Sequence, residues 1–467
     1  MHAIVIGGGI SGLAAAHRLL ASGLRVTVLE ASDRFGGKLL SGQIAGARVD
    51  LGAETILARR PEGVGLAREV GLEEALRPPV MASAAIWTRE ALRPMPRDHV
   101  MGVPASPAAL TGVLSDAGLA RIARDAELPR TELGEDAAIG RYVAERMGPE
   151  VVDRLVEPLL GGVYAGDAYR ISMRAAVPQL WEAARTERSL LAAVRGVQDR
   201  AAPRDPGEPV FLGLDGGIGV LPEAVADACR KAGATLETSV AVTGLRRAPD
   251  GWQVTTDDGR TLTAPALVLA LPAGPAARLL TEEAPGAARE LAAVEYASMA
   301  LITLAFRRAD LGVLPRGSGF LVPSVDGRQI KAATFISNKW DWAAGQDPEL
   351  FLLRTSIGRH GRPELLDRED NALVEAALGD LGEAIGLSAR PVDSVVTRWP
   401  DGLPQYAVGH SALVDRARAE VAALPGLRLC GAAYEGVGIP ACVASADRAV
   451  RELLATLPSG TGGGAGE

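Results

Sequence analysis

Two glycine-rich turns near opposite ends of the chain constrain its fold more than anything between them. The apolar strand pattern His2–Ile6 runs into Gly7-Gly8-Gly9-Ile10-Ser11-Gly12, and an Ala-rich helical pattern follows to Leu20. Leu429–Val450 repeats the order of strand, turn and helix, with Gly431, Val437, Gly438 and Ile439 in the turn. Gly7, Gly9 and Gly12 stand in G-x-G-x-x-G spacing: the first permits a tight turn, the second a close approach of pyrophosphate, the third close helix–strand packing. A helix N-terminus adds free N–H groups and the positive end of its dipole. A second strand from Leu24 ends on Glu30, eighteen residues past Gly12, where a carboxylate accepts from ribose hydroxyls. Strand, helix and acid together predict a Rossmann-like α/β dinucleotide domain assembled from both chain ends.

Arg34-Phe-Gly-Gly-Lys38 follows Glu30 directly, and NAD-dependent dehydrogenases have no need of it. The competing reading is a plain Gly-Gly turn between strands. The two ends together resemble flavoproteins of the amine-oxidase superfamily, in which the C-terminal segment folds back onto the flavin. The resemblance implies non-covalent FAD, with Gly7, Gly8, Gly9, Ile10, Ser11, Gly12, Glu30, Ala31, Arg34, Gly37 and Lys38 along its adenosine, pyrophosphate and ribityl parts. Asp50–Thr55, with Gly52, Ala53, Glu54 and Thr55, resembles the segment whose backbone passes the isoalloxazine. Backbone near Val242 is implied at the adenine, and Trp399, Gly431, Val437, Gly438 and Ile439 complete the contacts. Cys442 lies near the closing turn, but the Ser-Gly-Gly-Cys attachment of monoamine oxidases is absent.

At 467 residues, 48% of them apolar, the chain is long enough for two or three domains. A net charge of −8 gives no basic face for nucleic acid. Three cysteines, Cys229, Cys430 and Cys442, make no disulfide framework and read as reduced and cytosolic. Five scattered histidines show no ligand spacing, so no metal is expected. No signal peptide and no membrane span are expected.

The pattern divides into a discontinuous FAD-binding domain (1–80, 205–290 and 411–457), a helical subdomain (81–204), a mixed-sheet substrate domain (291–410) and a disordered Gly-rich tail (458–467). Residues 60–80 read as a helix, and Ile86–Pro96 as a hairpin turning near Glu90. Residues 106–197 read as mostly helical, and Arg200–Pro209 as a Pro-rich linker. Thr235–Val242 alternates as one strand, and Asp258-Gly259 marks a hairpin turn. Ala300–Phe306, Gly319–Val322, Ile330–Ser337 and Phe351–Ser356 are expected in one antiparallel sheet. Few charges inside these strands suggest an apolar cavity against the flavin.

Three further segments narrow the resemblance. Gly162–Leu190, Arg398–His410 (RWPDGLPQYAVGH) and Tyr434–Cys442 (YEGVGIPAC) are similar to elements of protoporphyrinogen/coproporphyrinogen oxidases. Amine oxidases and carotenoid desaturases share the glycine loop and RxGGK but lack these three. Ala441 departs from a position where an acid is common, and Glu54 from the usual Pro-containing pairs. Thr334–Trp340 resembles the Gram-positive type. That implies six-electron oxidation of coproporphyrinogen III, with three flavin cycles and O2 reduced to H2O2. Protoporphyrinogen IX is the alternative substrate; an amine oxidase, a desaturase or a flavin-binding scaffold are the alternative classes. No catalytic side chain is assigned, because the cofactor carries the chemistry. Arg59, Arg60, Lys331 and Lys339 are candidates to meet propionates, while Tyr406 and His410 read either as core or as site residues. The implied protein is cytoplasmic, a monomer or homodimer. The helical region is either a plain cover over the cavity or a contact for the membrane or a ferrochelatase-like partner; the acidic balance favours the cover.

Overall fold

The fold is described from a computed structural model covering residues 1–108, 110–200 and 208–457. Most of the Pro-rich linker and the whole Gly-rich tail lie outside these residues. Strands β1 (His2–Ile6) and β2 (Arg25–Leu29) flank helix α1 (Ile10–Ala21). They sit in a five-stranded parallel sheet in the order Thr235–Glu237, β2, β1, Ala266–Leu269, Leu427–Leu429. Side chains alternate across it. Ala3, Val5, Val26, Val28 and Val268 pack beneath α1, Val220–Lys231 and the last helix, Ile439–Leu454. Ile4, Ile6, Leu29, Leu267 and Leu269 pack on the opposite side with Ala273–Leu280 and Pro285–Ala292. Burial on both faces explains why these strands read as continuous apolar runs.

A seven-stranded sheet forms the second body, in the order Asp393–Pro404, Tyr296–Arg307, Leu350–Ile357, Ile330–Thr334, Gly319–Leu321, Ala84–Thr88, Ala91–Pro94. The four strands expected together are neighbours here, and Gly319–Leu321 also pairs in parallel with Ala84–Thr88. One face rests on the helix Asp370–Ile385 through Ile302, Leu304, Phe320 and Phe351. The hairpin turns at Arg89 and Glu90, both at positive φ. It belongs to this sheet, although the expected division at residue 81 grouped it with the helices.

The helical region runs from Asp116 to Arg200 and is stapled by a buried pair, Arg146 Nε to Asp125 Oδ1 at 2.6 Å. Three expectations fail locally. The helix expected over 60–80 spans only Pro61–Glu69, because Gly71 takes φ +81° and turns the chain. Thr235–Val242 is not one strand: Ser239 takes φ +56°, separating Thr235–Glu237 from Val242–Ala248, which joins a different, three-stranded sheet. The strand expected to Ser337 stops at Thr334, and a helical turn, Ile336–Lys339, follows. Among the described residues no helix is long and apolar enough to cross a membrane.

Candidate cofactor and substrate site

The glycine loop shows what each of its glycines permits. Gly7 takes φ +103°, and a methyl group there would lie 2.4 Å from the Ala270 carbonyl oxygen. At Gly12 a methyl would lie 1.8 Å from the Gly7 oxygen, so only glycine lets α1 sit this close to β1. At Gly9, which precedes α1, a methyl would meet nothing within 4 Å. That open space borders a helix start with no side-chain cap, so its N–H groups are free for a phosphate. The residues present fit a dinucleotide pyrophosphate.

Glu30 stands at the end of β2. Its carboxylate accepts from Gly8 N at 2.6 Å, and from Ser32 N and Oγ at 2.9 and 2.7 Å. Ser239 N donates to Ser32 O at 2.7 Å and Val240 N to Glu30 O at 2.9 Å, which brings the approach to Val242 alongside the acid. Ala31 is exposed beside it. The Arg34-to-Lys38 turn docks on the loop through Gly36 N to Gly8 O at 2.8 Å, and Gly37 has φ +57°. Arg34 closes its own turn by donating to Gly37 O at 2.6 Å. Lys38 is largely desolvated, which lowers its pKa, and it forms no ion pair with a described residue.

Residues 50–55 are clamped between the seven-stranded sheet and the Arg34-to-Lys38 turn. Trp399 Nε1 donates to Leu51 O at 3.0 Å, Arg354 Nη1 to Gly52 O at 2.9 Å, and Ala53 N to Lys38 O at 3.1 Å. A methyl at Gly52 would fall 2.0 Å from Lys38 O. Glu54 pairs with Lys339 and with Arg354 Nη2 at 2.8 Å. Burial alone would raise its carboxyl, but the two cations outweigh burial and bring the pKa down to about 2. Lys339, one of the four candidate propionate ligands, is paired with Glu54 in this structure. Asp50 is pushed up to about 6 by burial, although Ile218 N and Gly219 N donate to it at 2.9 and 3.2 Å. Thr55 is half-buried ahead of the strand Ile56–Leu57.

The C-terminal turn closes on the same place. Gly431 (φ +136°) follows the strand Leu427–Leu429, and Gly438 is the exposed, side-chain-free cap of the last helix. Ile439 and Cys442 are buried in that helix's first turn and pack with Ile10 of α1, and the Cys442 thiol donates to Gly436 O at 3.9 Å. Two uncapped helix starts therefore adjoin. Val437 packs against the helical region. All three cysteines are free and buried.

Tyr406 and His410 pin this turn, a role the sequence left open between core and site. The Tyr406 hydroxyl donates to Ala432 O at 2.6 Å and accepts from Gly436 N at 2.7 Å. The His410 ring stacks on it at 4.0 Å, and Nε2 donates to Ala433 O at 2.9 Å. Burial brings His410 down to about 4, so the ring is neutral at physiological pH. We expect Tyr406→Phe to strand both half-buried backbone partners, costing about 1–3 kcal/mol and lowering FAD occupancy. Thermal melts and the flavin-to-protein absorbance ratio check this; unchanged occupancy would remove Tyr406 from the account.

The sheet face toward residues 50–55 follows from register. Leu301, Ser356, Ala332 and Leu321 lie in one cross-strand row, and Thr303, Arg354, Thr334 and Gly319 in the next. Arg354 reaches Gly52 from this face. A methyl on Gly162, in the helix Glu157–Tyr164, would meet Leu321 at 3.8 Å, so that helix faces the same rows. The first row is apolar apart from Ser356, the second carries Thr303, Arg354 and Thr334, and Lys331 lies buried in the strand next to Ala332, so the charges in these strands are few. Arg60 pairs with Glu62 at 2.8 Å, and Arg59 is exposed. An open cleft of about 540 Å³, lined by Arg141, Tyr142, Tyr169 and Val408 among others, lies on the helical region and contains none of the predicted site residues. Among the described residues no group of three His, Cys, Asp or Glu side chains could hold a metal.

A parallel sheet with a glycine cradle at one helix start, a second uncapped helix start beside it and an apolar sheet face across from both define an FAD-dependent oxidoreductase. The chain belongs to the flavin containing amine oxidoreductase family, whose pattern matches residues 10–454. It is 38% identical to the coproporphyrinogen III oxidase of Mycobacterium leprae, over 97% of this chain and 98% of that one. Identity to the coproporphyrinogen III oxidase of Bacillus subtilis is 31%, over 98% of each chain. The protoporphyrinogen oxidase of Bos taurus is 31% identical, over 98% of this chain and 99% of its own. A crystal structure of a protein from Exiguobacterium sp. 255-15 matches with a TM-score of 0.84 and 31% identity, over 97% of this chain and 99% of that one. Reduced UDP-galactopyranose mutase matches at 0.73 with 18% identity, over 98% of this chain and 96% of that one, and shares the fold alone.

Proposed function

We propose that this protein oxidises coproporphyrinogen III to coproporphyrin III in haem biosynthesis, a six-electron oxidation with O2 as final acceptor and H2O2 as by-product. Full-length similarity to coproporphyrinogen III oxidases carries the reading. Bound FAD supplies the acceptor for each two-electron step. The chain supplies placement and exclusion of water. In this reading Gly7 to Gly12 and the start of α1 hold the pyrophosphate, and Glu30 and Ala31 the ribose. Arg34, Gly37 and Lys38 lie along the ribityl chain and Val242 lies at the adenine. Residues Leu51 to Thr55, held by Trp399, Arg354 and Lys339, would meet the reacting ring together with Gly431 and Val437 to Ile439. The row Leu301, Ser356, Ala332 and Leu321 offers the macrocycle a dry surface.

The second reading is protoporphyrinogen IX oxidation, favoured by the bovine relative. Coproporphyrinogen carries four propionates against two, and each desolvated carboxylate needs a partner. We expect kcat/KM to be higher for coproporphyrinogen III in a side-by-side porphyrin-fluorescence assay; equal or reversed constants leave the second reading standing. The reading places the protein in the cytoplasm, as a monomer or homodimer, passing its product to a ferrochelatase. Liposome flotation separates that placement from peripheral attachment to the membrane.

A further inference from the structure

Between the helix Glu157–Tyr164 and the strand Ile330–Thr334, a buried lysine and a largely buried arginine lie near one carboxylate, which only the arginine pairs. Glu157 Oε1 accepts from Arg359 Nη1 at 2.5 Å, and its Oε2 from Ser324 N at 3.1 Å. Arg359 Nη2 is spent on Val322 O at 2.9 Å. Lys331 is 4% exposed, and its ammonium, with three protons to donate, has a single acceptor, Gly161 O at 3.4 Å. It forms no ion pair with a described residue. The neighbouring Arg154 is matched by Asp326 at 2.9 Å. One positive charge is left uncompensated in a desolvated place, an expensive arrangement. Burial, reinforced by Arg359, brings the Lys331 ammonium down to about 7.

The cluster borders the face described above. Lys331 precedes Ala332 of the apolar row, and lies three residues from Thr334, about 10 Å along an extended strand. Thr334 is paired with Arg354, which holds Gly52. On the helix side Gly161 has no side chain, and Gly162 and Val163 are exposed.

We propose that Lys331, backed by Arg359, is the seat of one substrate propionate. The inference rests on the porphyrinogen reading and deepens it. The arriving carboxylate supplies the missing counter-charge, and the macrocycle edge bearing it lies away from residues 50–55. The competing account is a cluster that only fastens helix to sheet.

Binding of coproporphyrin III and of its tetramethyl ester, followed by porphyrin fluorescence, separates the two accounts. Lys331→Met is expected to weaken the free acid about tenfold or more, the size of a charge-assisted hydrogen bond, and to leave the ester unchanged. KM for coproporphyrinogen III should rise by a similar factor. Unchanged affinity for the acid, or equal loss for acid and ester, overturns the seat. Should Lys331→Met fail to fold, Lys331→Gln gives the same comparison. Wild-type protein that does not oxidise coproporphyrinogen III sinks the functional reading instead; wild-type turnover with no acid-specific loss in the variant sinks this inference alone.

Discussion

Gly9→Val is expected to give a folded protein that lacks FAD, whereas Gly12→Val is expected to give little folded protein at all. The two positions are three residues apart and both are glycine, yet their surroundings differ completely. Gly9 has φ −69° and ψ 176°, which any residue adopts, and a side chain there projects into open space. In the proposed reading that space receives the pyrophosphate, so a branched side chain would cost the cofactor its seat and leave the chain's own contacts alone. At Gly12 the obstacle is backbone, the Gly7 carbonyl at 1.8 Å, and no rotamer relieves it. The helix must move off a sheet whose core includes Ala3, Val5 and Val28. Circular dichroism and the flavin absorbance of purified protein distinguish the outcomes. A yellow Gly9→Val protein would contradict the placement of the pyrophosphate.

The second large effect is expected at Glu54. Its side chain is 12% exposed, and those of its partners Lys339 and Arg354 are 17% and 11% exposed. Glu54→Ala leaves two cations facing each other with their counter-ion gone, a loss of about 3–5 kcal/mol. That is a large share of the stability of an ordinary domain. The acid dependence should change with it. The folded carboxyl sits at about 2 against an ordinary value of 4.5, so its stabilising contribution is complete above 4.5 and disappears as pH falls toward 2. Over that window the wild type should lose stability relative to Glu54→Ala. Urea midpoints at neutral and acid pH read both effects. A neutral-pH loss below about 1 kcal/mol, the range of a solvated surface pair, would show that the triad is not a clamp.

Features set by local spacing were legible in the sequence. Gly7, Gly9, Gly12 and Glu30 belong to one strand–turn–helix–strand unit, so their relative positions follow from the periodicity of that unit. The same holds for the closing turn at Gly431–Gly438. Glu54 shows where such reading stops. Its departure from the family pattern was visible, but its partner Lys339 is 285 positions away. A lysine in sequence carries a charge without an address, which is why Lys339 read only as one of four candidate anchors. Alternation also misleads where a turn preserves it. Thr235–Val242 keeps a strand-like pattern through Ser239, whose positive φ is paid in a residue type that gives no warning. Tyr406 and His410 read equally as core or site, because the turn they hold lies beyond an intervening helix and strand, 26 and 23 positions on.

The central claim is that this flavoprotein turns a porphyrinogen into a porphyrin. The most direct test supplies coproporphyrinogen III to purified protein in air and follows porphyrin fluorescence together with oxygen uptake. The account predicts fluorescence that grows with enzyme concentration, stops when oxygen is removed, and consumes three O2 for each coproporphyrin III formed. Fluorescence no faster than spontaneous oxidation, with the flavin bound and the chain folded, would contradict it.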